Sequence, residues 1–380
     1  MSKLDVVHVT TVHQAIDARI FYKECASLHK HGLKAAVVGP HFAKDVRDGI
    51  PIFPLRKPSN KVFRLLFSPF MALFVVIRLN PKIVHFHDPE IIPVAVLLRL
   101  MGKKVIYDVH EHYLEIKSLE SKIRLLNQMH KFMLRIILER VPSLIFNALV
   151  FPTLSLSDAV AGHDKRLVLV NFLGRETISK ASRGEQFQSY TKKEYDVVFM
   201  GSISLMRAAE LIKMFEIILK ERPNSKFLLL GMPAQTVAWI KDQRLSRSLK
   251  DSIFFHEKVP HLEVFKILSQ ARVGFNYHPM KPRFKVAIPM KVYEYIAAGL
   301  PVVSSSFPEL ESQFRQGEVL LVKGDNQTDY AHAVLKLLES KNLQERMSAI
   351  AYKKILEELN WEAASEPKLI ALYQHLLAKV

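Results

Sequence analysis

Short apolar runs alternate with helix-like segments along the first 110 residues. The runs are rich in valine and isoleucine, and each is followed by a segment with apolar positions at helical spacing. The strand-like runs are 6–11, 34–40, 82–88 and 104–110, and the helical segments are 18–31, 61–79 and 90–101. Buried strands joined by helices are typical of parallel βαβ units. The first half therefore predicts a doubly wound sheet.

The same alternation restarts after a polar segment rich in Ser, Lys and Gln that ends near residue 196. Strand-like runs follow at 197–202, 226–231, 252–259, 272–279 and 301–306. We predict an N-terminal domain (1–180), a C-terminal domain (181–360) and a C-terminal helix (361–380) that could pack back on the first domain.

Two doubly wound, Rossmann-like α/β domains in tandem imply a cleft between them. Ligands of such sheets bind outside the carboxyl ends of the strands, where the strand order reverses. With two sheets facing each other, one cleft can hold two substrates, which suits group transfer.

Composition narrows the class of protein. The 380 residues are 49% hydrophobic and 24% charged, as in ordinary globular domains, and the length favours two of them. One cysteine, Cys25, excludes an intramolecular disulfide framework. The start of the chain reads as a strand rather than a signal peptide, so we expect a cytoplasmic protein. Two apolar stretches, 65–77 and 91–102, are shorter than a membrane span, and we expect buried helices there.

The chain is strongly basic, with a net charge of +17. The part before residue 180 holds 26 Lys and Arg against 15 Asp and Glu, a balance of +11, and the remainder holds 28 against 22, or +6. Segment 117–140 reads as a basic amphipathic helix. It could lie on an anionic membrane surface or pack on the core with a solvated charged back, and both alternatives stay open.

The segment KVYEYIAAGLPVV (291–303) carries the strongest candidate site. Pro289 fits the first turn of a short helix, Gly299 its left-handed end, and Pro301 stops continuation. Lys291 in the first turn and Glu294 three residues later share one face. Free N–H groups and a lysine suit a diphosphate, and a carboxylate can accept from two ribose hydroxyls. The alternative is a surface Lys and Glu pair.

The segment PMKVYEYIAAGLPVVSSSFPELE (289–311) resembles the nucleotide-binding motif of GT-B glycosyltransferases, especially the retaining family-four type of the WaaG and PimA kind. Segments 10–32, 84–113 and 360–376 resemble the same group in the same order, so the likeness spans nearly the whole chain. It implies sugar transfer from a nucleotide-sugar donor to a saccharide or lipid-linked saccharide, with retention and without a metal, in cell-surface polysaccharide or glycolipid synthesis.

The resemblance also implies donor-binding residues. Glu294 takes the place of the ribose-binding glutamate, whereas the second glutamate of the family, eight residues earlier, is replaced by Val286. Of the two cations that clamp the diphosphate, Arg207 matches one and Ser202 stands at the other, so Lys291 is the candidate to share that role. Gly201 and Met290 complete the predicted donor site.

His110, at the end of a predicted strand, matches the histidine that faces the transferred sugar in relatives, and Glu111 is the competing candidate as an acceptor-side base. A capping or core-edge role for this pair is the alternative. We predict no metal or other cofactor, because an Asp-x-Asp metal motif is missing and His85, His87 and Asp88 more naturally shape the wall of the cleft.

The loop after the first strand gathers His13, Asp17 and Arg19 without a glycine. The resemblance implies contact with donor phosphate or acceptor, and the alternative for Asp17 is a helix N-cap.

Two other functions compete with sugar transfer. A nucleotide-sugar epimerase shares the architecture and the ribose site. A non-catalytic nucleic-acid binder would explain the charge, but no recognisable nucleic-acid motif is present, and no nucleic-acid partner is expected. We predict a transferase that is cytoplasmic and peripheral at the inner face of an anionic membrane through its basic N-terminal domain.

Overall fold

The alternation of strands and helices is confirmed as two parallel α/β units. The structure is a computed structural model that describes residues 3–56, 58–110, 128, 132–160, 165–182, 193–279, 281, 286 and 288–378. One unit comprises Met1–Asn171 and Trp361–Val380, and the other comprises Phe172–Asn360.

The first unit contains an eight-stranded sheet. In chain order the strands are β1 Val6–Val9, β2 Ala35–Pro40, β3 Asp45–Arg47, β4 Ile50–Leu55, β5 Ile83–Phe86, β6 Lys104–Asp108, β7 Ala148–Phe151 and β8 Arg166–Val168. Their order across the sheet is β3-β4-β2-β1-β5-β6-β7-β8, and only the β3–β4 pair is antiparallel. The direction of strand addition reverses between β1 and β5, which makes the carboxyl ends of these two strands the expected ligand site.

Helices flank this sheet. They are α1 Ala26–Lys30, α2 Lys61–Leu79, α3 Ile92–Leu100, α4 Val141–Ile145 and α5 Leu154–Ala159, with π-helical turns at Ile20–Cys25 and Ile136–Arg140 and a 3₁₀ turn at Pro89–Ile91.

The second unit contains a six-stranded parallel sheet of order β11-β10-β9-β12-β13-β14. The strands are β9 Tyr195–Met200, β10 Phe227–Leu230, β11 Ile253–His256, β12 Ala271–Asn276, β13 Val302–Ser305 and β14 Leu320–Val322. The helices are α6 Arg175–Ser182, α7 Leu205–Glu221, α8 Ala234–Asp242, α9 Arg247–Ser252, α10 His261–Leu268, α11 Met290–Ala297, α12 Pro308–Gln313, α13 Gln327–Glu339 and α14 Lys341–Glu357. Here the order reverses at β9, between β10 and β12.

The end of the chain returns to the first unit. A π-helical turn, Trp361–Ser365, leads into α15, Glu366–Ala378. Trp361 and Tyr373 are buried in one cluster with Val6, Ile83 and Ile106, and the indole N–H of Trp361 donates to Ser27 Oγ at 2.9 Å.

The boundary between the units lies at Asn171–Phe172 rather than near residue 180. The predicted boundary was wrong because α6, which we counted with the first domain, packs on α10, α11 and α14 of the second unit. Residues 111–127 and 129–131 lie outside the described residues, and they include 14 of the 24 residues of the predicted basic helix, 117–140.

The prediction that both apolar stretches are buried helices is wrong for α2. Its inward side consists of small residues, Ser68, Ala72 and Val76, whereas Phe70 and Phe74 on the outward side are 61% and 67% exposed. Helical periodicity does not say which face is turned inward, so the pattern alone was ambiguous. In α3, by contrast, Val94, Ala95 and Leu98 are buried as expected.

Candidate functional site

A cavity of about 620 Å³ opens at the carboxyl ends of β9 and β10 in the second unit. This is the point where the strand order of that sheet reverses, which is where open α/β sheets bind ligands. Its lining includes two glycines, an apolar methionine and several charged or polar side chains: Gly201, Gly231, Met290, Lys258, His261, Lys291 and Glu294. Four of the five predicted donor-binding residues, Gly201, Met290, Lys291 and Glu294, therefore meet at one cavity.

Helix α11 presents Lys291 and Glu294 to this cavity because its opposite side is anchored in the core. Tyr295 is fully buried, and its hydroxyl accepts from the N–H of Met200 at 2.7 Å and donates to the carbonyl of Phe275 at 3.1 Å. One side chain thus connects α11 to β9 and β12. Gly274 makes this possible, since a Cβ there would lie 2.5 Å from Tyr295 Cγ.

The ends of α11 differ slightly from the prediction. Pro289 is the N-cap residue, with an extended ψ of 92°, so the first helical residue is Met290. Gly299 adopts φ 77°, the left-handed conformation expected at the helix end, and its N–H donates to the carbonyl of Ile296. The helix consequently begins within the lining of the cavity.

Lys291 is an amine that is partly removed from water. Its Nζ lies 4.6 Å from the centroid of the Phe199 ring, and a Cβ on Gly201 would come within 3.5 Å of it. Burial, with repulsion from the Arg207 charge, lowers the pKa of Lys291 to about 7, and Glu294 opposes this shift. An incoming anion would favour the charged form of this amine.

Glu294 is paired with a residue that the sequence analysis missed. Its Oε1 lies 2.9 Å from Nε2 of His261, and the Glu294 side chain is 18% exposed. His261 is the first residue of α10 and follows the N-cap residue Pro260, in the connection after β11, which ends at His256. In the sequence, the position of this histidine at the start of a helix that follows a strand was the feature that could have indicated a site residue.

Arg207 does not lie in the lining of the cavity. It is buried in α7, and its guanidinium donates to the carbonyl of Tyr277. Ser202, which replaces a family cation, does line the cavity. Val286, which replaces the second glutamate of the family, is half-buried, and its neighbours 282–285 and 287 lie outside the described residues.

In the first unit, polar side chains meet at the carboxyl ends of β1, β5 and β6. Asp88 accepts from the Thr10 hydroxyl at 2.7 Å and from the N–H groups of Thr11 and Val12 at 2.7 and 3.2 Å. It therefore fixes the loop after β1, consistent with a shaping role. His13, from the same loop, stacks on His110 with ring centroids 5.0 Å apart.

The structure corrects the role predicted for Arg19. Its guanidinium is buried and donates to both oxygens of Asp108, at 2.9 and 3.2 Å, so it is not presented to a phosphate or an acceptor. A buried guanidinium needs such a carboxylate partner. Asp17 accepts from the N–H groups of Arg19 and Ile20 at 2.8 and 3.2 Å, which is the capping alternative.

His110 lies at the end of a buried chain of hydrogen bonds between histidine and tyrosine side chains. Its Nε2 lies 3.1 Å from His87 Nδ1, and His87 Nε2 lies 3.0 Å from His8 Nδ1. The chain continues from His8 Nε2 to the Tyr373 hydroxyl at 3.3 Å and from that hydroxyl to His85 Nδ1 at 2.7 Å. Paired histidines at alternate positions of an apolar strand, in HFHD, were the signal in the sequence.

Burial shifts the pKa values of three histidines in this chain. It lowers the pKa of His110 to about 4 and lowers those of His8 and His85 as well. Burial also raises the pKa of Glu24, whereas the Arg19 guanidinium holds the pKa of Asp108 well below its usual range despite burial. His110 is therefore a neutral hydrogen-bonding group near pH 7 rather than an acid. Its competitor, Glu111, lies outside the described residues.

Two groups of side chains in this region offer metal-ligating atoms. One is His8, Glu24, His85 and His87, and the other is His87, Asp108 and His110. Asp88, considered from the sequence, is in neither. The Arg19 guanidinium lies 3.0 Å from Glu24 Oε1 and would compete with a metal for that carboxylate.

A known protein family and a curated protein resemble this chain. Residues 182–354 match the family model described as glycosyl transferases group 1. The Bacillus subtilis protein TuaH, named as a teichuronic acid biosynthesis glycosyltransferase, is 24% identical over 185 residues, and the match covers 46% of this chain and 45% of that protein.

Solved structures resemble the whole chain. A glycosyltransferase from Rickettsia africae superimposes with a TM-score of 0.74 at 11% identity and full coverage of both chains. Sucrose-phosphate synthase from Thermosynechococcus elongatus gives 0.73 at 14% identity over 99% of this chain and all of the other. The Anabaena protein HepE, in complex with UDP and glucose, gives 0.66 at 12% identity over 99% of each chain. These likenesses confirm the GT-B fold predicted from the sequence.

Proposed function

We propose that this protein, whose residues 182–354 form a glycosyltransferase group 1 domain, transfers a sugar from a nucleotide-sugar donor to a saccharide or lipid-linked saccharide acceptor. The observation that carries the proposal is the cavity of the second unit, where Lys291 and Glu294 project from the start of α11 next to Gly201.

The chemistry of these side chains suits a nucleoside diphosphate. The Glu294 carboxylate can accept from the two vicinal hydroxyls of a ribose in place of its present partner, His261. Lys291 and the positive end of α11 face the region where the diphosphate would lie. Charge develops on the diphosphate as it leaves, and fixed cations in a closed site stabilise such charge by about 3 kcal/mol each.

We further propose that transfer retains the anomeric configuration and needs no metal, with Lys291 and the N-terminus of α11 stabilising the charge of the leaving group. His110, neutral and 15% exposed, would hydrogen-bond a sugar hydroxyl. The protein would work in the cytoplasm on a cell-surface polysaccharide or glycolipid. The likeness to TuaH supports this role, and the UDP bound to HepE makes UDP-sugars the first donors to test.

Titration calorimetry with UDP tests the donor site. Glu294→Ala should weaken UDP binding about tenfold to hundredfold, because a charge-assisted hydrogen bond contributes about 1.5–3 kcal/mol. Glu263→Ala, the same change at an exposed position of α10, is the matched control and should leave the affinity unchanged. Unaltered UDP affinity in Glu294→Ala would remove Glu294 from the donor site. Hydrolysis assays with UDP-, GDP- and ADP-sugars then identify the donor.

A further inference from the structure

Helix α2 of the first unit exposes a continuous apolar face. The face includes Phe63, Leu66, Phe67, Phe70, Phe74 and Ile77, which recur at helical spacing. Over Val62–Leu79 the mean hydropathy is 2.0, yet only 22% of these residues are buried. Among the described residues this is the one helix long and apolar enough to cross a membrane by length and composition. Soluble monomers rarely leave so large an apolar patch in water, so this face needs a partner.

The helix is anchored along its other side, so it lies on the unit rather than spanning a bilayer within this fold. Ser68, Pro69, Ala72 and Val76 are turned inward, and α2 contacts β2, β4 and α3. The largest apolar side chains point away from the sheet, which is the reverse of a helix that packs on a core. A helix with this arrangement can lie in the plane of a membrane interface with its apolar face inserted.

Helices next to α2 also expose apolar side chains. Helix α3, which packs on α2, exposes Leu97 and Leu100, and α4, which packs on α3, exposes Leu144. Just before α4, Phe132 and Ile137 are also exposed. These two belong to the described end of the segment that the sequence predicted to be a basic amphipathic helix.

The charge of the segment that contains α2 favours an anionic membrane over a second copy of the chain as the partner. Residues 56–104 contain nine Lys and Arg but only two acidic residues, Asp88 and Glu90. The side chains of both acids are buried, at 2% and 6% exposure. The charge that this segment presents to a partner is therefore basic. A second copy docked on the same face would bring like charges together, whereas anionic lipid headgroups would neutralise them.

We propose that α2 docks the first unit on an anionic membrane, with Phe63, Phe67, Phe70 and Phe74 inserted among the acyl chains and the surrounding Lys and Arg on the headgroups. The inference deepens the proposed function, on which it rests for the reason to be at a membrane, namely access to a lipid-linked acceptor. The evidence for docking itself is the exposed apolar face of α2 and the basic charge of residues 56–104, and it does not depend on the proposed reaction.

Vesicle co-sedimentation of the full chain tests the proposal. The protein should pellet with equimolar phosphatidylglycerol and phosphatidylcholine vesicles and much less with pure phosphatidylcholine. Phe70→Glu with Phe74→Glu should reduce the partition coefficient about a hundredfold or more, since each of the two buried phenyl groups contributes about tenfold or more. Leu262→Glu with Ile350→Glu adds the same charge at exposed positions of the second unit and should bind as the parent does.

Several outcomes would overturn the proposal. Failure of the parent protein to pellet, or equal binding by the α2 variant, removes the docking surface. Equal binding to neutral vesicles removes the anionic partner. A dimer in light scattering that forms without lipid and dissociates in the α2 variant, with no vesicle binding, assigns the face to a second copy. Calorimetry with UDP separates the two claims: the α2 variant should keep the parent affinity, and vesicle binding without UDP binding would contradict only the proposed function.

Discussion

At the scale of single residues, the donor cavity depends on a lysine that is only partly charged near neutral pH. Burial, together with the nearby Arg207 charge, lowers the pKa of Lys291 to about 7. A bound diphosphate would raise this pKa, because it stabilises the ammonium form. Binding of the anion and protonation of Lys291 should therefore be linked.

We predict that UDP affinity depends on pH through Lys291. Below about pH 7 the free protein already carries the charge, and affinity should not change with this group. Above it, a proton must be taken up on binding, so the dissociation constant should rise about tenfold per pH unit until the pKa of the complex is passed. Calorimetry between pH 6 and 9 measures this dependence.

The matched variant is Lys291→Arg, which keeps the charge throughout this range. It should flatten the rise above pH 7, while the titration of the UDP phosphate itself affects both proteins equally. A parent profile that parallels that of Lys291→Arg would contradict a titrating Lys291.

The buried ion pair of the first unit leads to a prediction about stability. Arg19→Met leaves the Asp108 carboxylate buried without its bidentate partner and should lower the free energy of unfolding of that unit by about 3–5 kcal/mol. Lys30→Met removes a lysine that is 67% exposed and leaves its partner Glu366 beside His31 Nδ1, at 3.4 Å, so it should cost about 0–1 kcal/mol. Urea unfolding compares the two, and equal losses would show that the Arg19 pair is not structurally required.

The relative positions of residues close in sequence were predictable, whereas contacts between residues far apart in sequence were not. Lys291 and Glu294 could be placed on one helical face because three residues separate them. The pairing of Glu294 with His261, 33 residues away, depends on how two helices pack and is not visible in any local pattern. The same holds for the contact of Tyr373 with His8 and His85.

At the scale of elements, the position of α11 depends on a fit between one glycine and one tyrosine. We predict that Gly274→Ala destabilises the second unit by about 1–3 kcal/mol and weakens UDP binding, because the new methyl group would lie 2.5 Å from Tyr295 Cγ and push α11 away from β12. Urea unfolding and UDP calorimetry measure both effects.

A double-mutant cycle provides the control for this clash. In a Tyr295→Ala background the methyl group has nothing to meet, so Gly274→Ala should then cost almost nothing. If Gly274→Ala costs the same with and without Tyr295, the glycine is needed for another reason, such as its effect on the strand itself.

Periodicity predicted which segments are strands and which are helices, but it did not predict which face of a helix packs on the sheet. Valine-rich runs predicted the parallel strands because both faces of such sheets are buried. In α2 apolar residues occupy almost every position, so spacing could not tell the inward side from the outward side. Ser68, Ala72 and Val76, small residues at helical spacing, were the signal for the packed side.

At the scale of the whole molecule, the first unit is discontinuous in sequence, since Trp361–Val380 joins Met1–Asn171. The helical end of the chain was predictable, and so was the option of its packing back. Which residues bury it was not, because the contacts of Trp361 with Ser27 and of Tyr373 with His8 span more than 300 residues. Contacts of such separation are decided by topology rather than by any local pattern.

This arrangement predicts that the two tryptophans report on different units. Trp361 is buried in the first unit, and Trp239 packs against the core of the second. UDP should raise only the unfolding transition of the second unit, which identifies it in a calorimetric scan, since a ligand stabilises the unit that binds it. Trp361→Ala should lower the temperature of the other transition, because loss of a buried indole reduces the free energy of unfolding by about 3–5 kcal/mol. Trp239→Ala should instead lower the temperature of the transition that UDP raises. If Trp361→Ala instead lowers the UDP-sensitive transition, the C-terminal helix stabilises the second unit, and the division of the chain into these two units is wrong.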